Sequence, residues 1–303
     1  MTSRKLQQVI HSVPSSDGAG VKLRRSLGSS QALRHDPFLM LDEFGTDNPD
    51  DYIAGFPPHP HRGFETVTYM LDGHMRHQDS VGNQGDLGPG DVQWMTAAGG
   101  IIHSEMPQQT EGRMRGFQLW LNLPAKEKMK PARYRDIKAR DIPVAKLENG
   151  GDVKVIAGTF VHGGQRVTGP VNSAAAPVTT DPLYLDVHLP AGASFEAQAS
   201  RGHNAFLYLY EGNATVGDLA QPLPRQAAGL LGDGDRVTVK ANAGAARFLL
   251  LAAKPLREPV VQYGPFVMNT HEEIEQALND YREGVLGLPP DAPGKIRRGA
   301  SPG

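Results

Sequence analysis

Four side chains in two short segments have the types and the spacing of a metal site. His59 and His61 form an H-x-H pair, and His103 and Glu105 form an H-x-E pair further along the chain. Because alternate side chains of a β-strand share one face, the members of each pair can point together into a barrel. Two neighbouring strands would then bring four ligands around one ion.

The chemistry of this donor set narrows the choice of metal. Three neutral imidazoles and one carboxylate suit Fe(II), Mn(II), Ni(II), Cu(II) or Zn(II), and they do not suit a calcium cage. Four protein ligands around an octahedral ion would leave about two positions for substrate and dioxygen. Affinity favours copper and cellular supply favours iron. We therefore expect one divalent transition metal, with Fe(II) preferred and Mn, Ni, Cu or Zn as alternatives.

Glu65 offers a second carboxylate close to the first pair. Counted from His61 along an unbroken strand, it falls on the same face. It could replace Glu105 as a ligand, or it could orient a ligand histidine by hydrogen bonding. Spacing alone leaves both alternatives open. The remaining histidines show no comparable cluster, and we interpret them as structural or surface residues: His11, His35, His74, His77, His162, His188, His203 and His271.

The elements around these pairs predict an all-β protein. Short apolar segments rich in β-branched and aromatic residues recur between turn residues, and 35 Gly and 24 Pro are scattered among them. Residues 69–73 (YMLDG) resemble residues 208–212 (YLYEG), which indicates two copies of one β-fold. We predict a metal-binding domain over 1–135 and a second domain without metal over 136–256. A C-terminal helix and a disordered tail are predicted over 257–303.

The C-terminal helix has a recognisable start and stop. Thr270 and Glu273 have the spacing of a capping box, and Gly284 is placed to end the helix. Between them, apolar residues follow at helical spacing: Ile274, Ala277, Leu278 and Tyr281. They predict one apolar face that packs on the body of the protein.

Composition excludes several classes of function. The chain of 303 residues has no cysteine, so disulfides, thiolate metal sites and a cysteine nucleophile are excluded. The formal net charge of −2 argues against direct nucleic-acid binding. No apolar run is long enough for a signal-peptide core or a membrane span. We therefore expect a cytoplasmic protein that contacts neither nucleic acid nor membrane.

Several longer segments resemble one known family. Residues 59–69 (HPHRGFETVTY) match the first metal motif of the pirins, which are bicupins of the cupin superfamily. Residues 88–97 (GPGDVQWMTA) and 100–107 (GIIHSEMP) match the second. The resemblance implies two stacked cupin β-barrels and metal in the N-terminal barrel. It places the family's ligands on His59, His61, His103 and Glu105, and so favours Glu105 over Glu65.

The resemblance also implies two alternative functions. Several pirins resemble quercetin 2,3-dioxygenases, which open a flavonol ring with O₂ and release carbon monoxide. In that case a phenolic flavonoid and O₂ are the substrates, and Glu105, or Glu65 if it lies close, is the expected catalytic base. Other pirins are redox-sensitive regulators that bind a transcription factor or another protein partner. We rank the enzyme first and the regulatory protein second.

Overall fold

The computed structural model describes residues 1–288, which form β-strands and one α-helix. The strands up to residue 137 are β1 (Leu6–His11), β2 (Val13–Asp17), β3 (Val21–Arg25), β4 (Phe38–Thr46), β5 (Phe56–His61), β6 (Phe64–Asp72), β7 (Met75–Asp79), β8 (Gln84–Leu87), β9 (Val92–Thr96), β10 (Ile101–Pro107), β11 (Met114–Asn122) and β12 (Arg133–Ile137).

The later elements are β13 (Val144–Lys146), β14 (Asp152–Ala157), β15 (Thr159–His162), β16 (Gln165–Thr168), β17 (Leu183–Leu189), β18 (Ser194–Gln198), β19 (Asn204–Glu211), β20 (Ala214–Val216), β21 (Gln221–Leu223), β22 (Ala227–Leu231), β23 (Arg236–Ala241), β24 (Ala246–Ala253), β25 (Val261–Tyr263), β26 (Phe266–Met268) and α1 (His271–Arg282). Short 3₁₀ helices lie at Gln31–Leu33, Pro49–Asp51, Ala125–Glu127 and Ala139–Asp141.

Each half of the molecule is a cupin-like pair of antiparallel sheets. In the first, the seven-stranded sheet β12-β9-β6-β11-β4-β3-β2 is accompanied by the four-stranded sheet β5-β10-β7-β8. In the second, β1-β22-β19-β24-β17-β14-β13 is accompanied by β18-β23-β20-β21. The repeated seven-plus-four arrangement confirms the predicted all-β bicupin fold. Apolar side chains fill the space between the two sheets of each half.

The two large sheets pack on each other through a third core. Val67 and Phe117 of the first sheet belong to one buried cluster with Phe206 and Leu249 of the second. Each fully buried side chain of this size stabilises the fold by about 1.5–3 kcal/mol. Buried polar bonds also cross the junction, since the Tyr69 hydroxyl donates to Asp186 Oδ2 at 2.6 Å. The sheet that carries β6 is therefore buried on both faces.

The N-terminal strand belongs to the second half of the molecule. Residues 6–11 pair with β22, although the predicted first domain began at residue 1. The chain then forms the first half of the molecule from β2 to β12 and returns to the second half at β13. A strand of six residues does not specify which sheet edge it joins, so its sequence pattern alone could not place it.

The C-terminal helix is confirmed with its cap. The Thr270 hydroxyl accepts from the Glu273 N–H, and Glu273 Oε2 accepts from the Thr270 N–H. The apolar face, with Ile274 and Ala277, packs on β26. The predicted tail lies, from residue 289 onward, outside the described residues. Within residues 1–288, none of the helices has both the length and the apolar character needed to cross a membrane.

Candidate metal centre

Strands β5 and β10 bring the three predicted histidine ligands together. The strands pair antiparallel, with His103 opposite His59 and Ile101 opposite His61. Residues directly opposite each other point to the same face, so the H-x-H pair and His103 converge inside the first barrel. His59 Nε2 lies 3.0 Å from His61 Nε2. The ring centroid of His103 is 4.4 Å from that of His59 and 4.9 Å from that of His61.

The donor atoms of this cluster suit a metal ion. One nitrogen each of His59, His61 and His103 lies within 4.8 Å of the others. Burial, followed by the neighbouring histidines, holds the pKa of His61 and His103 well below the ordinary value, so both stay neutral. The buried Nε2 of His103 has no hydrogen-bond partner. Leaving such an atom unpaired is costly, and a bound transition metal would satisfy it.

Glu105 lies at the same end of the barrel with its side chain held by two neighbours. Its Oε1 accepts from the Thr68 hydroxyl at 2.8 Å, and its Oε2 accepts from the Gln118 amide at 3.3 Å. It lines a cavity of about 40 Å³ together with His59 and His61. The carboxylate is not part of the compact group formed by the three histidines. Its predicted role as fourth ligand therefore remains a proposal.

Glu65 lies on the opposite face of the sheet. The face count from His61 assumed an unbroken strand, but Gly63, with φ +94°, separates β5 from β6 and changes the alternation. Thr68 faces the metal site, whereas Glu65 shares the outward face with Val67. Glu65 Oε1 accepts from the Thr96 hydroxyl at 2.6 Å. This geometry gives no support to Glu65 as a ligand or as the partner of a ligand histidine.

The turn after His61 is fixed by the C-terminal segment. A Cβ atom on Gly63 would lie 1.9 Å from the Val267 carbonyl oxygen, so only glycine fits there. The buried ammonium of Lys128 donates to the carbonyl oxygens of Gly63 at 2.7 Å and Val267 at 2.9 Å. Burial lowers the pKa of Lys128 to about 8. These contacts fix the backbone that follows His61.

A buried ion pair ties the same turn to the helix. Arg62 donates through Nη2 to Asp280 Oδ2 at 2.7 Å, and its Nε donates to the Gly99 carbonyl at 2.8 Å. The Arg62 side chain is 1% exposed and that of Asp280 is 7% exposed, so solvent hardly screens this pair. Arg62 therefore links the end of β5 and the turn before β10 to α1.

Comparison with known proteins agrees with this geometry. The family model described as pirin matches residues 20–121, and the model described as pirin C-terminal cupin domain matches residues 184–287. A Pseudomonas aeruginosa protein, named provisionally as a quercetin 2,3-dioxygenase, is 56% identical over 276 residues, which cover 91% of this chain and 95% of the relative. The chain belongs to the pirin family.

Solved structures extend the comparison to the fold. A crystal structure of quercetin 2,3-dioxygenase from Acinetobacter baumannii has a TM-score of 0.84 and 33% identity, covering 94% of this pirin and 99% of that chain. A bacterial pirin from Escherichia coli, solved in complex with nickel(II), has a TM-score of 0.63 and 18% identity, covering 82% and 98%. At that identity the second likeness supports the shared fold.

Sequence reasoning missed His77, which contacts His103, and Asp79, which contacts His77. His77 of β7, interpreted from the sequence as structural or surface, is fully buried, and its Nδ1 lies 3.3 Å from His103 Nδ1. Its Nε2 lies 3.2 Å from Asp79 Oδ2. The sequence does contain His77 and Asp79 as an H-x-D pair at strand spacing. However, only the pairing of β7 with β10 shows that His77 lies beside His103.

A larger cavity opens over the histidines. Its volume is about 640 Å³, and His59 lines both this cavity and the small one that contains Glu105. Its walls are mostly apolar and aromatic, with Phe56 and Trp120 shared between the two cavities. Arg25, which donates to both oxygens of Asp42, lines the opening. An apolar cavity with few polar groups beside a metal site is typical of a small-molecule binding site.

Proposed function

We propose that this pirin is a metal-dependent dioxygenase that opens a flavonol ring of the quercetin type with O₂ and releases carbon monoxide. The observation that carries the proposal is the position of His59, which lines a cavity large enough for a flavonoid and also belongs to the three-histidine group. The names of the relatives from P. aeruginosa and A. baumannii point to the same activity.

The cavity suits a planar aromatic substrate. Its volume of about 640 Å³ lies within the range of roughly 300–1,000 Å³ that is usual for small-molecule sites. Phe56 and Trp120 offer aromatic surface, while Pro57 and Pro58 keep the adjoining wall rigid. Arg25 is neutralised by Asp42 and Asp17, so the wall provides hydrogen bonds without a strong excess of charge. A polyphenol fits this mixture of apolar surface and scattered polar groups.

In the proposed mechanism, His59, His61, His103 and Glu105 would hold one divalent transition metal, with Fe(II) preferred. When bound, the ion would supply the positive charge and the redox chemistry that flavonol oxidation needs. Glu105 accepts the proton of the flavonol 3-hydroxyl as general base. The Thr68 hydroxyl and the Gln118 amide orient its carboxylate toward the small cavity. Burial of His61 and His103 keeps water away from the inner side of the site.

The test is aerobic turnover of quercetin by protein reconstituted anaerobically with Fe(II), Mn(II), Ni(II), Cu(II) or Zn(II) in turn. Loss of flavonol absorbance and release of carbon monoxide are measured together. We expect His61→Ala to abolish turnover and metal loading. Glu105→Gln should lower kcat by about 10²–10⁴-fold, which is the usual contribution of a positioned general base. Glu111→Gln, at an exposed acidic residue, is the matched control.

Two outcomes would contradict the proposal. Full turnover by Glu105→Gln would remove the assignment of the base. Tight binding of one metal per chain, without turnover in any metal form, would favour the alternative of a redox-sensitive regulatory protein with a protein partner.

A further inference from the structure

A third cavity lies at the junction of the two domains, on the face of the seven-stranded sheet of the first domain that is turned away from the histidines. Its volume is about 510 Å³. Strands β6, β9 and β12 form its floor, and the loop over residues 171–179 of the second domain forms its roof. The three histidines of the metal centre do not line it. We call this cavity the junction cleft.

The strand register arranges the charged and aromatic side chains of the floor in rows across the strands. Glu65 lies opposite Thr96, and Thr96 lies opposite Arg133, so these three residues form one row across three strands. In the adjacent row, Trp94 lies opposite Arg135. Since neighbouring strands are roughly 4.8 Å apart, the backbones of Glu65 and Arg133 are about 10 Å apart on the same face. The cleft thus has an acidic end, an aromatic middle and a basic end.

The acidic end holds an unsatisfied polar atom. Glu65 is 4% exposed, and its Oε2 has no hydrogen-bond partner, while its Oε1 accepts from Thr96. Burial raises the pKa of Glu65 more than the Thr96 hydroxyl and the Trp94 side chain lower it. A ligand hydroxyl can pair with this carboxyl group in either protonation state, because it both donates and accepts. A second carboxylate or an ammonium could pair with only one of the two states.

The basic end carries cations that lack acidic partners. Within residues 1–288, neither Arg133 nor Arg135 has a carboxylate within 4.0 Å, and Arg135 donates only to the Pro170 carbonyl, at 2.7 Å. Lys130, also in the lining, is paired with Glu127. Because neither guanidinium group is paired with a carboxylate, this end favours an anion and repels a cationic ligand.

The middle of the cleft is suited to an aromatic ring. Trp94 lies on the floor between the two charged ends, and it is 6% exposed. Above it, the roof presents the apolar side chains of Val171, Pro177 and Val178. A flat apolar group would be enclosed on both sides, whereas a sugar or an extended peptide would leave its polar groups unpaired.

We propose that the junction cleft binds a hydroxylated aromatic carboxylate, with its hydroxyl on Glu65, its ring beside Trp94 and its carboxylate on Arg133. This site is separate from the metal centre, and the inference does not rest on the proposed dioxygenase activity.

The probe for the test is 4-hydroxybenzoate, titrated calorimetrically at pH 7 into the full-length protein, both metal-free and loaded with Zn(II). We expect one site per chain in both forms. Charged hydrogen bonds contribute about 1.5–3 kcal/mol, so Arg133→Ala should weaken binding at least about tenfold. Because Arg133 is exposed, this change should leave the fold intact. Arg140→Ala, at an exposed arginine outside the cleft, is the matched control and should bind as the wild type does.

Two ligand analogues test the ends of the cleft separately. Benzoate lacks the hydroxyl, and methyl 4-hydroxybenzoate lacks the carboxylate. Glu65→Leu should reduce the affinity for 4-hydroxybenzoate to that for benzoate, and the methyl ester should bind Arg133→Ala and wild type equally. Binding that requires the metal and ignores Arg133→Ala would place the probe at the metal centre and overturn the proposal. Absence of binding at millimolar probe would overturn it as well.

Discussion

Replacing His77 by Phe should weaken metal binding although His77 is not a ligand. Ionised Asp79 can only accept hydrogen bonds, so His77 carries its proton on Nε2, which faces Asp79 Oδ2 at 3.2 Å. His77 Nδ1 must then accept from His103 Nδ1 at 3.3 Å. His103 is thereby held as the tautomer with an unprotonated Nε2, which is the nitrogen that lacks a partner inside the barrel.

The expected magnitude follows from this chain of contacts. Loss of the group that orients a ligand histidine typically reduces metal affinity by about 10–100-fold, which corresponds to about 1.4–2.8 kcal/mol. Phe keeps the stacking of residue 77 on Tyr134, whose ring centroid is 4.5 Å away, so the packing is largely preserved. Affinity is measured by competition with a chromogenic chelator, using Zn(II) at pH 7. His74→Phe, at an exposed histidine of the same segment, is the matched control.

Asp79→Asn gives a sharper test of the tautomer. Asp79 Oδ1 accepts the backbone N–H groups of Val81 at 3.1 Å and Asn83 at 2.9 Å, so an Asn oxygen would keep that position. The Asn amide nitrogen would then donate to His77 Nε2 and could no longer accept from the Asn83 side-chain amide, which donates to Asp79 Oδ2 at 2.8 Å. His77 Nδ1 would donate to His103 Nδ1, which would leave the proton of His103 on Nε2. We expect a loss at least as large as in His77→Phe. Affinities within threefold of wild type in both variants, with intact thermal unfolding, would refute the reasoning.

Three further predictions concern the turn behind His61. Asp280→Ala should lower the free energy of unfolding by about 3–5 kcal/mol in urea titrations, because it leaves the buried charge of Arg62 unpaired; Arg62→Met with Asp280→Leu should recover most of it. Lys128 has a folded pKa of about 8, below its unfolded value, so the unfolded state binds more protons between pH 8 and 10.5. The wild type should therefore gain stability relative to Lys128→Met as pH rises through that range, and parallel curves would contradict this. Gly63→Ala should cost at least about 1–3 kcal/mol more than Gly82→Ala, which has a similar φ of +92° but open space around it, and equal losses would exclude the steric argument.

The histidine cluster could be predicted because it depends on one simple rule. His59 and His61 are two residues apart on β5, so strand alternation places both on one face, and His103 joins them because β10 pairs with β5 and sets it opposite His59. The capping box of α1 is equally local, since Thr270 and Glu273 bond across a single helical turn. Features of this kind are determined by a few neighbouring residues, so they can be predicted without knowing the rest of the fold.

Other features depend on contacts that no local pattern contains. Glu65 was counted onto the wrong face because the count passed through Gly63, which has a positive φ and lies against the distant Val267 carbonyl oxygen. His77 gained its place through the pairing of β7 with β10, a register that its own flanking residues do not specify. Each depends on which strands become neighbours, and that is decided by long-range packing.

The second cupin domain contributes to the metal site although it does not supply its histidines. Strand β6 presents Thr68 to Glu105 on one face and Tyr69 to Asp186 of the second domain on the other. A sheet with one face in water could twist or shift its register at small cost, but β6 is packed on both sides and cannot. The second domain therefore acts as a rigid support that fixes the direction of the Glu105 carboxylate. A ligand held on Glu65 in the junction cleft would contact β6 on the Tyr69 face, opposite the face that presents Thr68 to Glu105.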